Sequence, residues 1–177
     1  MAMLRGRPSI PSKMKPSLNL LSFLFLAASA HAGNLTWNTA GPDNNWNTAT
    51  ANWTGDATVF TAGDNVTFTG AAGEVITVAG GGVSAGTFTA NHTAGTYAFS
   101  GGSITGGALT KAGAGILTFN QTNTFSSIAV SGGPNSATAA NGALVVTVSN
   151  ALGTAPITLS NTGTITAINT NGTNLTV

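Results

Sequence analysis

The 177-residue sequence predicts an all-β protein, a stacked parallel β-helix or solenoid with a β-sandwich as the alternative. Three observations lead there. No window from Gly33 to Val177 places apolar residues at i, i+3, i+4 and i+7 among helix-forming neighbours. Short alternating runs appear instead, each putting two apolar residues on one strand face. Bulky apolar residues also recur ten or eleven positions apart, at Val78, Phe88, Phe99, Leu109, Phe119 and Val130.

The runs are Val66-Thr-Phe68, Ile76-Thr-Val78, Tyr97-Ala-Phe99, Leu117-Thr-Phe119, Ile128-Ala-Val130 and Ile157-Thr-Leu159. The longest, Leu144-Val-Val-Thr-Val148, is partly apolar on both faces. Turn chemistry separates them at Gly63-Asp, Gly80-Gly-Gly82, Gly101-Gly102, Gly106-Gly107, Gly132-Gly-Pro134, Asn141-Gly142 and Asn171-Gly172. Strands at this interval fit a sandwich or a solenoid of two or three strands per coil, roughly 20 to 30 residues each. The even spacing, the Gly- and Asn-dominated corners and the small side chains favour the solenoid.

Three segments follow from the composition: a signal peptide at 1–32, a Trp/Asn-rich N-terminal cap at 33–70, and solenoid repeats at 71–177. The first has a basic region (Arg5, Arg7, Lys13, Lys15) and an apolar stretch from Leu18 to Ala28. Small residues then end in Ala30-His31-Ala32, which predicts cleavage before Gly33. The stretch is about half the roughly 20 residues of a membrane-spanning helix, so an uncleaved anchor is the weaker reading. Met14-Lys15 starts a compact signal peptide by itself. The address expected is secreted or outer-surface through a Sec-type signal, with no membrane span in the mature chain.

Removing that peptide leaves Lys111 against Asp43, Asp56, Asp64 and Glu74, a net charge of −3. Such a chain has no electrostatic footprint for a polyanion, which excludes nucleic acid as a partner. Only 5% of residues are charged and 42% are hydrophobic, unlike a disordered chain. The absence of cysteine rules out a disulfide framework, so stability has to come from stacked strands. The cap segment holds all three tryptophans, Trp37, Trp46 and Trp53, as the atypical end unit of a stacked array requires.

The string GALTKAGAGILTFNQTNTFSS, from Gly107, resembles the autotransporter-associated β-strand repeat. The matching positions are Gly107, Leu109, Thr110, Lys111, Gly113, Gly115, Leu117, Phe119, Asn123, Thr124 and Phe125. Ile116, the aromatic at Phe119 and the Asn before the Asn-Thr-aromatic step depart mildly from that pattern. The next stretch, NGALVVTVSNALGTAPITLSNTGTITA, looks like a further coil, and the opening with AGDNVTF resembles the start of such passengers. The resemblance implies a right-handed parallel β-helix, exported, with no catalytic machinery in the repeat. Apart from it, Gly113 and Gly115 suit positive φ or close coil approach. Lys111 is expected at a coil edge, where its charge would discourage strand addition. The strand-like end at Asn174-Leu-Thr-Val177 suggests a fragment of a longer array.

The remaining chemistry is sparse. Trp37, Trp46 and Trp53 can stack on sugar rings or pack the cap core. Asp43, Asp56 and Asp64 sit in turns and read as caps rather than as Ca²⁺ ligands, which come in clusters. His92 is the only histidine after Gly33, and no G-x-S-x-G elbow or zinc ligand set accompanies it. A glycosidase-like carboxylate pair would have to come from Asp43, Asp56, Asp64 and Glu74, none in a recognisable motif. Gly80-Gly-Gly82 lacks the Lys-Ser/Thr and helix of a phosphate loop. N-x-T triplets such as those at Asn34 and Asn52 are expected by chance in so Asn- and Thr-rich a chain. The expectation is a non-catalytic structural or adhesive surface protein without cofactor or metal, whose partners are surface glycans or other surface proteins. A carbohydrate-binding module built on the tryptophans is the alternative, and a polysaccharide-active enzyme the remote one.

Overall fold

A computed structural model describes residues 31–71, 73–132, 142–161 and 163–167. The signal-peptide reading up to Ala30, the turns at Pro134 and Asn141, and the segment 168–177 lie outside these residues. Among the described residues there are fourteen strands and no helix. They are β1 (Asn34–Trp37), β2 (Asn45–Trp46), β3 (Trp53–Gly55), β4 (Asn65–Ala71), β5 (Glu74–Val78), β6 (Val83–Ala85) and β7 (Phe88–Ala94). Then follow β8 (Thr96–Gly101), β9 (Ile104–Ala112), β10 (Ile116–Phe119), β11 (Thr124–Ser131), β12 (Ala143–Val146), β13 (Ile157–Ser160) and β14 (Thr164–Ala167).

The chain alternates between two sheets, ordered β13-β11-β9-β7-β4-β1-β3 and β14-β12-β10-β8-β5-β2. Apart from β1 with β3, the described pairings are parallel. That pattern is a parallel β-solenoid and overturns the sandwich, whose hairpin-linked strands would pair antiparallel. The register steps from Val66 to Phe88, Leu109, Ile128 and Ile157. Coils therefore advance by 22, 21, 19 and then 29 residues along the chain. The ten-to-eleven-residue recurrence is half a coil, since Phe88, Leu109 and Val130 face the core from one sheet and Val78, Phe99 and Phe119 from the other. All six are buried.

The larger sheet has an eighth strand off this path. β6 pairs with the first residues of β9, Val83 to Ile104 and Ala85 to Gly106. The same end of β9 pairs with Thr124 and Phe125 of β11. β9 bends past Gly106 to join β7 along its second half, Phe88 to Leu109. Parallel sheets need cover on the inward face, and stacking supplies it by placing like residue over like.

The N-terminal end is where the pattern changes. β3 runs antiparallel to β1, with Trp53 opposite Trp37. The division expected at residue 70 falls inside β4, which already pairs in parallel with β7 from Val66. Parallel stacking reaches into the end unit as well, since β1 pairs in parallel with β4 and β2 with β5. At the other end, Ile157 and Leu159 are 38% and 54% exposed, although they lie in register with buried Ile128 and Val130. The apolar face expected for Ile157-Thr-Leu159 is therefore uncovered. β13 is the last described strand of its sheet, with a neighbour on one side only.

Candidate functional site

The three tryptophans are interior. Trp37, Trp46 and Trp53 are 4%, 0% and 1% exposed. Trp46 sits edge-on to Trp53 and Phe60, with ring centroids 5.4 and 5.3 Å away. Trp37 packs on Trp53 at 5.0 Å and on Phe68 at 5.8 Å. The aromatic column continues through Phe88, Phe99, Phe119 and Phe125. This corrects the sugar-stacking reading: the faces a pyranose ring would need are covered by other rings. Large rings fill the core at this end, where no further coil stacks among the described residues.

All four carboxylates serve the scaffold. Asp64 accepts from the Gly33 and Thr61 amides at 2.7 and 2.8 Å, tying the chain entering β1 to the turn before β4. Asp56 accepts from the Asn34 amide at 2.8 Å. Asp43 accepts from the Asn45 amide at 2.9 Å and the Asn52 side-chain amide at 2.6 Å. Hydrogen bonds from Asn45, then from Asn52, lower the Asp43 pKa. Glu74 accepts from the Trp37 indole N–H at 2.6 Å and so joins the end unit to β5. Among the described residues no three of His, Asp and Glu gather as a metal ligand set. Nor is any helix there long and apolar enough to cross a membrane.

The Lys-x-Gly-x-Gly string forms a buried corner with the preceding coil. Lys111 is fully buried, which corrects its expected place at a coil edge. It follows Leu109 by two residues and therefore points the same way, into the core. Its ammonium donates to the carbonyls of Ala112 and Gly113 at 2.7 and 3.0 Å. Burial pulls its pKa down to about 8. His92, two residues beyond buried Ala90, lies inside as well.

The His92 Nε2 lies 3.0 Å from the Ile116 carbonyl, which can only accept, so Nε2 carries the proton. Nδ1 is buried without a protein partner. Burial, then the charge of Lys111, lowers the His92 pKa. Tyr97 stands edge-on at 5.0 Å, and its hydroxyl donates to the Thr69 carbonyl at 3.0 Å. Burial, then Glu74, pushes the Tyr97 hydroxyl up to about 12.

The two glycines of the string have separate reasons. Gly113 has φ +73°, a left-handed turn out of β9. A side chain on Gly115 would run into the His92 ring. The Gly115 amide also donates to the His92 carbonyl at 2.9 Å, holding the coils at that distance.

Asn123 is a coil clamp that sequence reasoning placed in the motif without a role. Its Oδ1 accepts from the Ile104 amide at 2.9 Å, and its Nδ2 donates to the Gln121 and Ala151 carbonyls at 3.2 and 2.8 Å. One buried side chain thereby joins three successive coils. The other motif positions serve packing and turns: Leu109, Leu117, Phe119 and Phe125 are buried, Thr110 and Thr124 face outward, and Gly107 donates to the Gly86 carbonyl.

A scan against protein-family models, a search of curated proteins and a search of solved structures each return no match. A hollow of about 300 Å³ opens beside β6. Thr48, Phe60, Ser84, Ser103 and Thr105 are among the residues that line it. No acid, base or histidine lines it, so it offers shape and hydroxyls but no group for proton transfer.

Proposed function

We propose that the chain is an exported, non-catalytic β-solenoid of the autotransporter-associated repeat type that serves as a structural or adhesive element at a cell surface. The observation that carries this reading is the use made of the ionisable groups. Asp43, Asp56, Asp64, Glu74, His92 and Lys111 are all spent on holding coils, turns and the end unit together. The signal-like segment ending in Ala30-His31-Ala32 supports export, and the GALTKAGAGILTF string supports the family. Outward rows of Thr, Ser and Asn suit many weak contacts with surface glycans or surface proteins, whose strengths combine when they act together.

Expression of the full chain in a Gram-negative host tests the address. A product outside the cytoplasm whose N-terminus is Gly33 is the expected result. A cytoplasmic product with an intact N-terminus overturns export. Incubation with a panel of polysaccharides tests the second part. Binding to cells or glycans without release of reducing ends fits an adhesive element, whereas reducing-end release that is lost in Glu74→Gln or Asp43→Asn overturns the non-catalytic reading.

A further inference from the structure

The outer face of the seven-strand path β13-β11-β9-β7-β4-β1-β3 carries a pattern that the scaffold does not require. Thr36 lies opposite Thr54 on one side and Thr67 on the other. Thr67 is in register with Thr89, and Thr89 with Thr110. Ala129 interrupts the row, and Thr158 resumes it. Six of seven adjacent strands thus present threonine at one level. These positions alternate with core residues such as Val66, Phe68 and Leu109, so their side chains point away from the core. Strands lie about 4.8 Å apart, which makes the row about 29 Å long.

The neighbouring rows extend the pattern into two dimensions. Two residues before and after this level stand Asn65, Thr87, Ala108 and Ser127 on one side and Thr69, Asn91, Ala112 and Ser131 on the other, so β9 contributes methyl groups to both flanking rows. Rows two residues apart along a strand are separated by about 6.6 Å. None of these side chains is charged, and the one cation of β9, Lys111, points inward. Threonine is stiff at χ1, so hydroxyls and methyls on a parallel ladder are fixed before any ligand arrives.

We propose that this face binds ice. Its grid combines donors, acceptors and methyl groups at a strand spacing close to the oxygen repeat of hexagonal ice. A sugar chain is the poorer match, because the aromatic rings that would stack on it are buried: Trp37, Trp46, Trp53 and Tyr97 all lie inside. Nucleic acids and acidic polymers find no positive charge here. Each threonine contributes little, and attachment comes from many contacts made together to a rigid lattice. The proposal is independent of export and of the repeat family.

The test uses the full chain in ice-affinity partitioning and in ice-recrystallisation assays, beside Thr89→Lys/Thr110→Lys. Thr77→Lys, on the exposed face of the other sheet, is the control. The native chain and the control are expected to enter a slowly growing ice front and to suppress recrystallisation. The double variant should need about tenfold more protein for the same effect. Should it fail to fold, judged by its thermal transition, Thr54→Lys/Thr158→Lys at the exposed row ends replaces it and should show a smaller loss. Exclusion of the native chain from ice overturns the proposal. So does equal partitioning of folded row variants, or retention on crystalline cellulose or chitin without uptake into ice.

Discussion

Burying Lys111 has a consequence that can be measured with pH alone. In the unfolded chain its amine holds a proton up to about its ordinary pKa of 10.5, whereas in the folded chain burial lowers that to about 8. Between these values the unfolded chain binds more protons, so the free energy of unfolding rises with pH. At 1.36 kcal/mol per pK unit, going from pH 7 to pH 10 adds at most about 2.5 kcal/mol. Tyr97 acts in the opposite sense higher up. Its folded pKa of about 12 lies above the ordinary 10.0, so the unfolded chain loses that proton first and stability falls above pH 10. The expected profile climbs from pH 8, peaks near pH 10 and then declines. Urea unfolding of the full chain and of Lys111→Met, repeated from pH 7 to pH 11, reads it directly. The variant should be flat between pH 8 and 10. A native midpoint that stays level or drops over that interval refutes a desolvated ammonium at this corner.

Other consequences follow from the same coils. The folded His92 pKa lies below 6.5, so the unfolded chain takes up that proton first and stability falls as pH drops from 7 to 5. His92→Gln should flatten this part of the urea-midpoint profile, and an unchanged slope would remove His92 as its cause. Gly115→Ala should cost about 3 kcal/mol through the clash with the His92 ring and strain on the coil-to-coil hydrogen bond. Combined with His92→Ala, it should cost less than the sum of the two by about 1 kcal/mol or more, measured by a double-mutant cycle in urea. Asn123→Ala leaves the Ile104 amide and the Gln121 and Ala151 carbonyls without their shared partner. A loss of about 3 kcal/mol is expected in calorimetry, and a loss below about 0.5 kcal/mol would show that the clamp is dispensable.

Much of the solenoid was legible because strand alternation has a period of two and the coils repeat. Phe88, Phe99 and Leu109 could be set on inward faces without knowing which strand paired with which. Asp43 and Asp64 were legible in part for a local reason, since each accepts from an amide two or three residues away. The reach of Asp56 to Asn34 and of Asp64 to Gly33 was not, because those partners lie 22 and 31 residues away. Lys111 was misplaced because its charge was weighed above its phase. Leu109 and Lys111 are two apart, as are Ala90 and His92, and the alternation that buries the apolar member also buries the polar one. What overrode the charge was the carbonyl pair of Ala112 and Gly113, which the corner at Gly113 sets within reach of the ammonium. The Asn123 clamp was hidden for a different reason, because its partners Ile104 and Ala151 come from different coils. The threonine row likewise exists only once coils of unequal length are laid in register.

The tryptophan cluster also makes the molecule optically uneven. All three indoles lie between Trp37 and Trp53, and the only tyrosine is Tyr97. Light absorbed near the red edge of the protein spectrum is therefore taken up by the first coil alone, while amide absorption samples every coil. Trp46 and Trp53 stand with centroids 5.4 Å apart and planes at 68°, close enough for their transitions to couple. Fluorescence and near-ultraviolet dichroism thus watch one end of the stack, and far-ultraviolet dichroism the whole. Coincident melting by both would mean that the coils unfold as a unit. A separation would give the order in which the ends let go.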